Sequence, residues 1–548
     1  MAEEVGAGAI TLRKILMFVV LALVGSIVIT AVIASTYVSE RGTYRVIHEV
    51  FTKKVCKEKL IEMVYSENFV ERVLRNETPR VECHLLSLNA PSVKYKQVLA
   101  AVIFYVSLLG AIMFWERRAA AVFIGVVAMV LLGVMPFRYA IERMELNLIL
   151  FLIATMIIVG YLKESGFLRY ISAKTIMFSG GDPRKFLLLV LILSFGLAAL
   201  VNEVSSIVYV SLLILEVSEI IGFNPIPWLI VAVFATNVGS AATMIGNPIG
   251  IYIGLYFGKT FFDFILYATP AALAALALTY LVSLVYLKRL GEFDKMLRVD
   301  VEKLELDPWA EVRNIKDFYF SIIIFILMIV GIALHVQIAE FLNAILASIY
   351  GPGHAYRVTP EAVLVLVPTL LAGVVLARAG FVARRLVEER VEWWALVFFM
   401  FLFSLAAGLS VTGVTDLIAY AILVGVGGGR TPVAGYLANM LVMLTSAITS
   451  GFIDNMPIIV ALSPVAKTLM SIGMPGSNML PWSLLFGGTL GGNLTIIGST
   501  ANIVAAGIAE KRGFRIGFRD WIRIGLVDVA VTLAVAAAWI ALFVFGLF

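Results

Sequence analysis

The chain has 548 residues, of which 61% are hydrophobic and 14% are charged, and its formal net charge is +5. So few charges cannot cover the surface of a soluble protein of this size, and apolar runs of about 20 residues recur along the chain, as in membrane spans. The positive residues stand in a few short loops, which indicates membrane topology rather than nucleic-acid binding.

The first 96 residues predict a membrane anchor followed by a small domain outside the membrane. The apolar run at about 15–34 follows Arg13 and Lys14 and is longer than the core of a cleaved signal peptide. We therefore expect residues 1–36 to form an uncleaved anchor helix. Residues 37–96 carry charges at helical spacing and predict a small extracytoplasmic helical domain. Cys56 and Cys83 lie there, and an oxidising outer face allows a disulfide between them; two unpaired thiols are the alternative.

Residues 97–287 predict a first membrane repeat. Spans are expected at about 97–114, 119–136 and 146–162, followed by a mixed stretch over 163–185. Two shorter apolar arms, 186–200 and 207–221, flank the polar tip Asn202-Glu203-Val204-Ser205-Ser206, which predicts a re-entrant hairpin. The next span begins near Pro227 and is interrupted by "ATNVGSAATMIGNPIG", residues 235–250, before a last span at 262–287. Unwound backbone at this depth is tolerated only where protein buries it or where it lines a cavity.

A charged cytoplasmic linker over 288–316 leads to a second repeat over 317–548. Spans are expected at 318–336, 361–378 and 393–410, before a second pair of arms at 434–450 and 458–472. These arms flank a second tip that contains Asp454 and Asn455. A second broken span, 481–509, contains "GGTLGGNLTIIGSTAN", and the last span is at 525–546.

An offset of 252 residues superposes the two breaks and, at the same time, the two tips. It places Asn202 on Asp454 and Glu203 on Asn455, and within the breaks it aligns Gly239 with Gly491, Thr243 with Thr495 and Gly246 with Gly498. Five predicted crossings separate the hairpins, so the second repeat is expected to be inverted. Inverted repeats whose broken helices meet near the midplane are a transporter architecture.

The positive residues predict the orientation of this arrangement. With a cytoplasmic N-terminus, the inner loops hold most of the Lys and Arg residues, as the positive-inside rule requires. The C-terminus is then extracytoplasmic, and the chain has eleven crossings plus two hairpins. The inner-loop residues are Arg117, Arg118, Lys163, Arg169, Lys174, Arg184, Lys185, Lys288, Arg289, Lys295, Arg298, Arg384, Arg385, Arg390, Lys511, Arg512, Arg515 and Arg519.

The tips and breaks carry the groups that an ion site needs. Glycine lets backbone approach an ion closely, and free carbonyls and hydroxyls suit a hard cation, so we expect Na⁺ at the breaks Gly239–Asn247 and Gly491–Ser499. Helix N-termini at the same breaks suit anions. Ser205 adds a hydroxyl to the first tip. Glu203 and Asp454 stand where a carboxylate is costly, and such a group can carry a proton or balance a cation; capping of the hairpin turn is the alternative role for Glu203.

Two motifs resemble the arsenite permease and P-protein group of the ion transporter superfamily. They are "GGNLTIIGSTANIVAAGIAEKRG" at 491–513 and "SGFIDNMPIIVALSPV" at 450–465, and the resemblance extends from about residue 97 to the end. Citrate/proton symporters, dicarboxylate/sodium symporters and one class of sodium/proton antiporter are more distant relatives. The first half departs from the group, because Asn202-Glu203 stands where Asp-Asn is common and Asn247 stands where Asp is common.

The resemblance implies a homodimer in which a transport domain moves like an elevator against a scaffold. It also implies that the tips and breaks form the site, through Asn202, Glu203, Asn237, Gly239, Thr243, Gly246 and Asn247 in the first half and Asp454, Asn455, Gly491, Asn493, Thr495, Gly498, Thr500 and Asn502 in the second.

We therefore expect a secondary active transporter of a small inorganic or organic anion, of the arsenite or citrate kind, in the plasma membrane. Its coupling ion is H⁺ or Na⁺, and no other cofactor is expected. A Na⁺/H⁺ antiporter is the alternative, since both tips are acidic and neither contains Arg or Lys. A passive channel and a membrane-embedded enzyme are remoter alternatives. The sequence contains no apparent phosphate-binding loop, and a separate ATPase subunit stays open as a partner.

Overall fold

The computed structural model describes residues 12–39, 47–54, 87–180, 182–296, 307–310, 312, 314–351 and 357–547. All regular structure in these residues is helical. Eleven of the described helices are long and apolar enough to cross a membrane. The chain is therefore an all-α, multi-pass membrane protein, as its composition predicts.

The α-helices of the first half of the chain are α1 Leu12–Ser35, α2 Pro91–Met113, α3 Arg118–Leu131, α4 Phe137–Glu142, α5 Leu146–Glu164, α6 Phe167–Ser179, α7 Pro183–Leu200, α8 Glu203–Ile221, α9 Pro225–Ser240, α10 Pro248–Phe257, α11 Phe261–Tyr267 and α12 Thr269–Arg289, followed within the linker by the short helix α13 Glu292–Met296. Those of the second half are α14 Ile315–Ala333, α15 His335–Tyr350, α16 Pro360–Ala379, α17 Val382–Arg390, α18 Trp393–Thr412, α19 Val414–Gly425, α20 Pro432–Ser450, α21 Asn455–Ser471, α22 Leu480–Gly491, α23 Thr500–Lys511 and α24 Phe518–Val544.

The number of long apolar helices agrees with the number of predicted crossings, but their identity differs in part. Both arms of the first predicted hairpin, α7 and α8, have spanning length, and so does the first arm of the second, α20. The first two arms are longer than predicted because polar residues at their ends belong to the helices. Asp182 caps α7 by accepting from the N–H groups of Arg184 and Lys185, and Glu203 is the first residue of α8. Re-entry of the hairpins stays a prediction.

The predicted span at 119–136 is wrong in length, since α3 has 14 residues and ends at Leu131. Gly133 follows with a φ of 69°, a left-handed conformation that glycine adopts without steric cost. Pro136 then stands directly before α4. The apolar residues after Leu131 therefore belong to a turn and not to a longer helix.

The two predicted helix breaks are present at equivalent positions. The chain leaves regular α-helix after α9 and after α22, and the next helices, α10 and α23, begin at Pro248 and Thr500. These two starts are 252 residues apart, which is the offset that aligns the sequence motifs. A 3₁₀ turn over Gly492–Leu494 forms the first part of the second break.

Most of the predicted extracytoplasmic domain (37–96), with Cys56 and Cys83, lies outside the described residues, although a helical segment at 47–54 is described. Within the predicted linker (288–316), residues 297–306, 311 and 313 lie outside the described residues, and the short helix α13 is described. The disulfide and the domain boundaries stay predictions.

One compact unit of the chain comprises Met1–Leu146, Trp393–Leu441 and Val460–Leu480. Within it, α3 packs on α2 and α18, and a side chain at Gly125 or Gly408 would collide with Ser107 or Met129, respectively. Lys54 Nζ donates to the buried Asp416 carboxylate at 2.7 Å, and Thr468 Oγ1 donates to the same carboxylate at 2.8 Å. Part of the predicted extracytoplasmic domain is thereby anchored to the helices of this unit.

The other unit comprises Asn147–Glu392, Val442–Ile459 and Pro481–Phe548, and all sixteen predicted site residues belong to it. Its interior contains α9, a largely apolar helix whose residues are all buried except Ile226. A helix without a polar face is stable only when protein or lipid surrounds it. Here α7, α8, α12 and α23 pack around it, so the break that follows α9 begins inside this unit.

Candidate functional site

The first tip combines an unusual backbone conformation with a helix cap. Asn202 has φ 149° and ψ 154°. Residues other than glycine rarely adopt this backbone conformation, because it costs about 1–3 kcal/mol. Its side chain accepts from the N–H of Ser205 at 3.0 Å and so caps α8. Strain of this kind persists only where the surrounding structure enforces it, and it is concentrated at functional sites.

Glu203, the next residue, is a carboxylate held in the protein interior. It is 7% exposed, and its Oε2 atom has no hydrogen-bond partner among the described residues. Ser240 and Asn247 of the first break are polar neighbours of the carboxyl group, and the negative charges of Asp454 and Glu392 act on it. An ionised carboxylate is costly in such surroundings.

The first break is held by contacts between its own residues and the end of α7. Thr243 Oγ1 donates to the carbonyl of Ala199. Asn247 caps α10 by accepting from Gly250 N at 2.8 Å, and its amide donates to Ser240 Oγ at 3.0 Å. A side chain at Gly239 would collide with the backbone of Phe195 at 2.3 Å. Glycine is required there because two backbones approach closely.

The second break repeats these contacts 252 residues later. Thr495 Oγ1 donates to the carbonyl of Gly451, and a side chain at Gly491 would collide with the backbone of Ala447 at 2.4 Å. The carbonyl of Gly451 and the backbone of Ala447 correspond to those of Ala199 and Phe195. Added side chains at Gly246 and Gly498 likewise meet equivalent backbone atoms, the carbonyls of Ser240 and Gly492. Equivalent backbone contacts support the predicted repeat; its inversion stays a prediction.

Asn237, in the last turn of α9, connects the first half directly to the second break. Its Nδ2 atom donates to Asn493 Oδ1 at 2.6 Å and to Asn502 Oδ1 at 2.9 Å. Its Oδ1 atom accepts from Ser499 Oγ at 3.0 Å. All four side chains are completely buried. Networks of buried polar groups with satisfied hydrogen bonds rigidify a site and specify one arrangement of it.

Asp528 extends this network and is a residue that the sequence interpretation missed. It lies in α24, is fully buried, and accepts from Asn493 Nδ2 at 2.9 Å and from Thr279 Oγ1 at 2.7 Å. The signal was available, because a carboxylate inside a long apolar span marks a functional or structural polar site by default. Asp528 orients the amide of Asn493, whose oxygen then faces Asn237.

The second tip contains two further predicted residues, Asp454 and Asn455, which are 8% and 3% exposed. The Ser450 hydroxyl lies 2.6 Å from the carbonyl oxygen of Gly488 and 3.0 Å from Asn455 Oδ1, and its single hydrogen is shared between these two acceptors. This links the tip to α22. Thr500, the first residue of α23, is half-buried, unlike the fully buried Asn502 two positions later.

A pocket adjoins the first tip and the first break. Of the predicted residues, Asn202, Ser205 and Asn247 line it, and all three belong to the first half of the site. Three charged side chains also line it: Lys163, Arg390 and Glu392. The sequence interpretation counted Lys163 and Arg390 only as inner-loop charges. Their place in the pocket depends on tertiary packing, which loop composition does not report.

Comparison with known proteins identifies the family. The family model described as "Citrate transporter" (CitMHS) matches residues 108–487. An uncharacterized transporter of Mycobacterium tuberculosis is 30% identical over 407 residues, covering 73% of this chain and 86% of that protein. The human P protein is 24% identical over 485 residues, covering 78% of this chain and 57% of that protein.

Among solved structures, the crystal structure of the YdaH transporter of Alcanivorax borkumensis shares the fold. It has a TM-score of 0.51 and 15% sequence identity, and the match covers 82% of this chain and 98% of that one. The predicted resemblance to the ion transporter superfamily is confirmed at the level of the family. This chain belongs to the citrate transporter family and is a multi-pass membrane transporter.

Proposed function

We propose that this protein is a secondary active transporter that moves a small anion across the plasma membrane, coupled to H⁺ or Na⁺. The observation that carries the proposal is the buried junction of the two breaks through Asn237, beside a tip whose Glu203 carboxylate has a buried oxygen without a hydrogen-bond partner among the described residues. An anionic substrate is supported by the family's description as citrate transporters and by the cations Lys163 and Arg390 in the pocket.

In this proposal Glu203 and Asp454 hold the coupling ion. Their negative charges act on one another, so a proton or Na⁺ between them relieves a repulsion that is strong in a buried site. Carbonyls and hydroxyls of the two breaks then complete the cation site, and the N-termini of α8 and α10 favour the anion.

The division of the chain into two units supports an elevator mechanism. The unit that comprises Asn147–Glu392, Val442–Ile459 and Pro481–Phe548 contains every predicted site residue, so we propose that it carries the site as one transport domain. The other unit would then form the scaffold and the contact between two copies of the chain. The distribution of Lys and Arg among the loops supports a cytoplasmic N-terminus and an extracytoplasmic C-terminus.

A Na⁺/H⁺ antiporter is the second candidate function. The observation that favours it is the pair of buried acidic residues at the tips, because two neighbouring carboxylates can exchange a proton for a metal cation without any anion. In that case the pocket cations would serve only to balance Glu164 and Glu392.

Flux into proteoliposomes tests the proposal and separates it from its rivals. The purified full chain is reconstituted, and uptake of labelled citrate and of labelled phosphate is measured with an imposed H⁺ or Na⁺ gradient. We expect saturable anion uptake that follows one of the two gradients. Cation exchange without any added anion would favour the antiporter, and flux that neither saturates nor responds to a gradient would contradict a carrier.

A further inference from the structure

The pocket beside the first tip is small, and it extends from exposed to fully buried residues of one unit. Arg390, whose side chain is 37% exposed, and Asn247, which is 1% exposed, both line it. The volume open to the centres of water molecules is about 30 Å³, and one water needs about 10–15 Å³ of such volume. The pocket therefore holds about two or three water molecules or one inorganic anion of similar size, and it is too small for citrate.

Three side chains that line this pocket have hydrogen-bond donors without an acceptor among the described residues. Lys163, half-buried in the last turn of α5, forms no ion pair or hydrogen bond within that part of the chain. Ser205 is 3% exposed, and its hydroxyl makes no hydrogen bond there either. Asn202 caps α8 through its Oδ1 atom, which leaves its amide NH₂ group without an acceptor in the same residues. Buried donors are seldom left unsatisfied, so a molecule in the pocket is expected to accept from these three.

The charges around the pocket favour an anion over a cation. Arg385 and Arg390 both pair with the single carboxylate of Glu164, so that carboxylate balances only one of them. Lys163 adds a further positive charge, and Glu392 is the one acidic residue among the lining residues. Three cationic side chains thus face two carboxylates, and the excess charge is positive. The N-terminus of α8, which begins at the first tip, favours negative charge as well.

The chemistry of the three donors also excludes a metal ion as their ligand. An ammonium group has donors and no acceptor, and a metal ion needs acceptors. The Asn202 oxygen, which is an acceptor, is already used by the N–H of Ser205. Ammonium, hydroxyl and amide hydrogens together suit the oxygens of an oxyanion, because each such oxygen accepts hydrogen bonds and carries part of the negative charge.

We propose that this pocket binds a small inorganic oxyanion, and that Lys163, Ser205 and Asn202 donate hydrogen bonds to its oxygens in place of water. The inference rests on the proposed function, because it names the class of anion that the transporter carries. It separates this substrate from larger carboxylates such as citrate. It also adds Lys163, which lies outside the tips and breaks, to the residues that bind the anion.

Titration of the purified full chain with inorganic phosphate tests this assignment, by calorimetry in detergent and a zwitterionic buffer. We expect Lys163→Gln to raise the Kd for phosphate about tenfold or more, since a charged hydrogen bond of low exposure is lost. Lys163→Arg should retain part of the affinity. Ser205→Ala should raise the Kd about threefold or more, because it removes one donor and keeps the charge.

The chain offers a matched control for each substitution. Ser211 is a buried serine of the same helix α8, and its hydroxyl also lacks a partner among the described residues. It does not line the pocket, so Ser211→Ala should bind phosphate like the wild type. Lys185 is an exposed lysine on the neighbouring helix α7, and Lys185→Gln should also bind like the wild type. Melting curves of all variants identify any that do not fold, and the separate changes at Lys163 and Ser205 keep the test independent of either one.

The inference is overturned if the wild type does not bind phosphate, or if Lys163→Gln and Ser205→Ala bind it as the wild type does. Tighter binding of citrate than of phosphate, weakened by the same two substitutions, would overturn it as well, because the site would then accept an organic anion. Gradient-driven uptake of citrate into proteoliposomes, with the same KM in the wild type and Lys163→Gln, would contradict this inference and leave the proposed function standing. Phosphate binding that depends on Lys163, without gradient-driven flux of any anion, would contradict the proposed function and leave the site standing.

Discussion

The two helix breaks share their backbone contacts but are closed by different side chains. In the second break, the amide of Asn502 donates to the carbonyls of Gly492 and Thr495 at 2.8 and 2.7 Å. The equivalent position in the first break is Gly250, so no side chain reaches the carbonyls of Ser240 and Thr243 from there. In the second break these two carbonyls are therefore hydrogen-bonded to a side-chain amide. The first break lacks that group and lies beside the buried Glu203.

This difference suggests that the two breaks have different roles although they share their backbone contacts. The second break is closed by its own hydrogen bonds and braced by Asp528 through Asn493. The first break adjoins the Glu203 carboxylate, whose Oε2 has no hydrogen-bond partner in the part of the chain that the structure describes, and a pocket lined by two cationic side chains. We therefore expect ligand exchange to depend more on the first half, while both halves contribute equally to the backbone frame.

The largest effect on stability is expected at Gly239 and Gly491, where the backbone of each break lies close to another backbone segment. Gly239→Ala would place a Cβ atom 2.3 Å from the backbone of Phe195, and Gly491→Ala would place one 2.4 Å from the backbone of Ala447. Backbone cannot yield as a side-chain end does, so each change should destabilise the protein by about 3 kcal/mol or more. Thermal melting in detergent checks this.

Gly196→Ala and Gly507→Ala are the matched controls, because they lie in helices with open space where the Cβ would be. They should leave the melting temperature unchanged or raise it slightly. A large loss of stability in one of the two break variants and none in the other would show that the two breaks do not have equivalent backbone contacts.

A smaller but unequal effect is expected at Asn237 and Thr489, which occupy equivalent positions. Asn237→Ala removes three hydrogen bonds to the second break and leaves buried partners unpaired, so it should destabilise the protein by about 2–3 kcal/mol. Thr489 Oγ1 donates within its own helix, to the carbonyl of Leu485 at 2.7 Å, so Thr489→Val should cost less than about 1 kcal/mol. Melting curves of both variants provide the measurement. Equal losses of stability in Asn237→Ala and Thr489→Val would contradict the expected difference between the two halves.

The smallest effect is expected at the hydroxyls that tie each break to its hairpin. Thr243→Val and Thr495→Val each remove one hydrogen bond to a backbone carbonyl at nearly constant volume. Each should cost about 1 kcal/mol, and the two losses should agree. Calorimetric or thermal unfolding of the pair checks this; a difference several times larger than that figure would show that the contacts are not equivalent.

The helix breaks could be located from the sequence because their residue types are unusual inside an apolar span. Glycine, Asn, Thr and Pro together inside an apolar run disrupt a helix, and their recurrence at one offset identified the second copy. The ends of α7 and α8 were less predictable, since Asp182 and Glu203 are polar and yet belong to the helices or their caps.

The partners of the site residues were not predictable in the same way. Asn237 meets Asn493, Ser499 and Asn502 only because distant segments pack together, and hydropathy reports no such pairing. Asp528 and Lys163 illustrate two forms of this limit. One carboxylate was hidden in a strongly apolar span, and one lysine had an adequate explanation as a loop charge.

The most direct test of the account is the coupling of transport in variants of the two tips. Flux into proteoliposomes under an imposed H⁺ or Na⁺ gradient is measured for Glu203→Gln and Asp454→Asn, with Lys185→Gln as a control on the surface. We predict that flux through Glu203→Gln no longer depends on the ion gradient. We predict that flux through Asp454→Asn depends on the gradient less than flux through the Lys185→Gln control does. Full wild-type coupling in both tip variants would contradict the account.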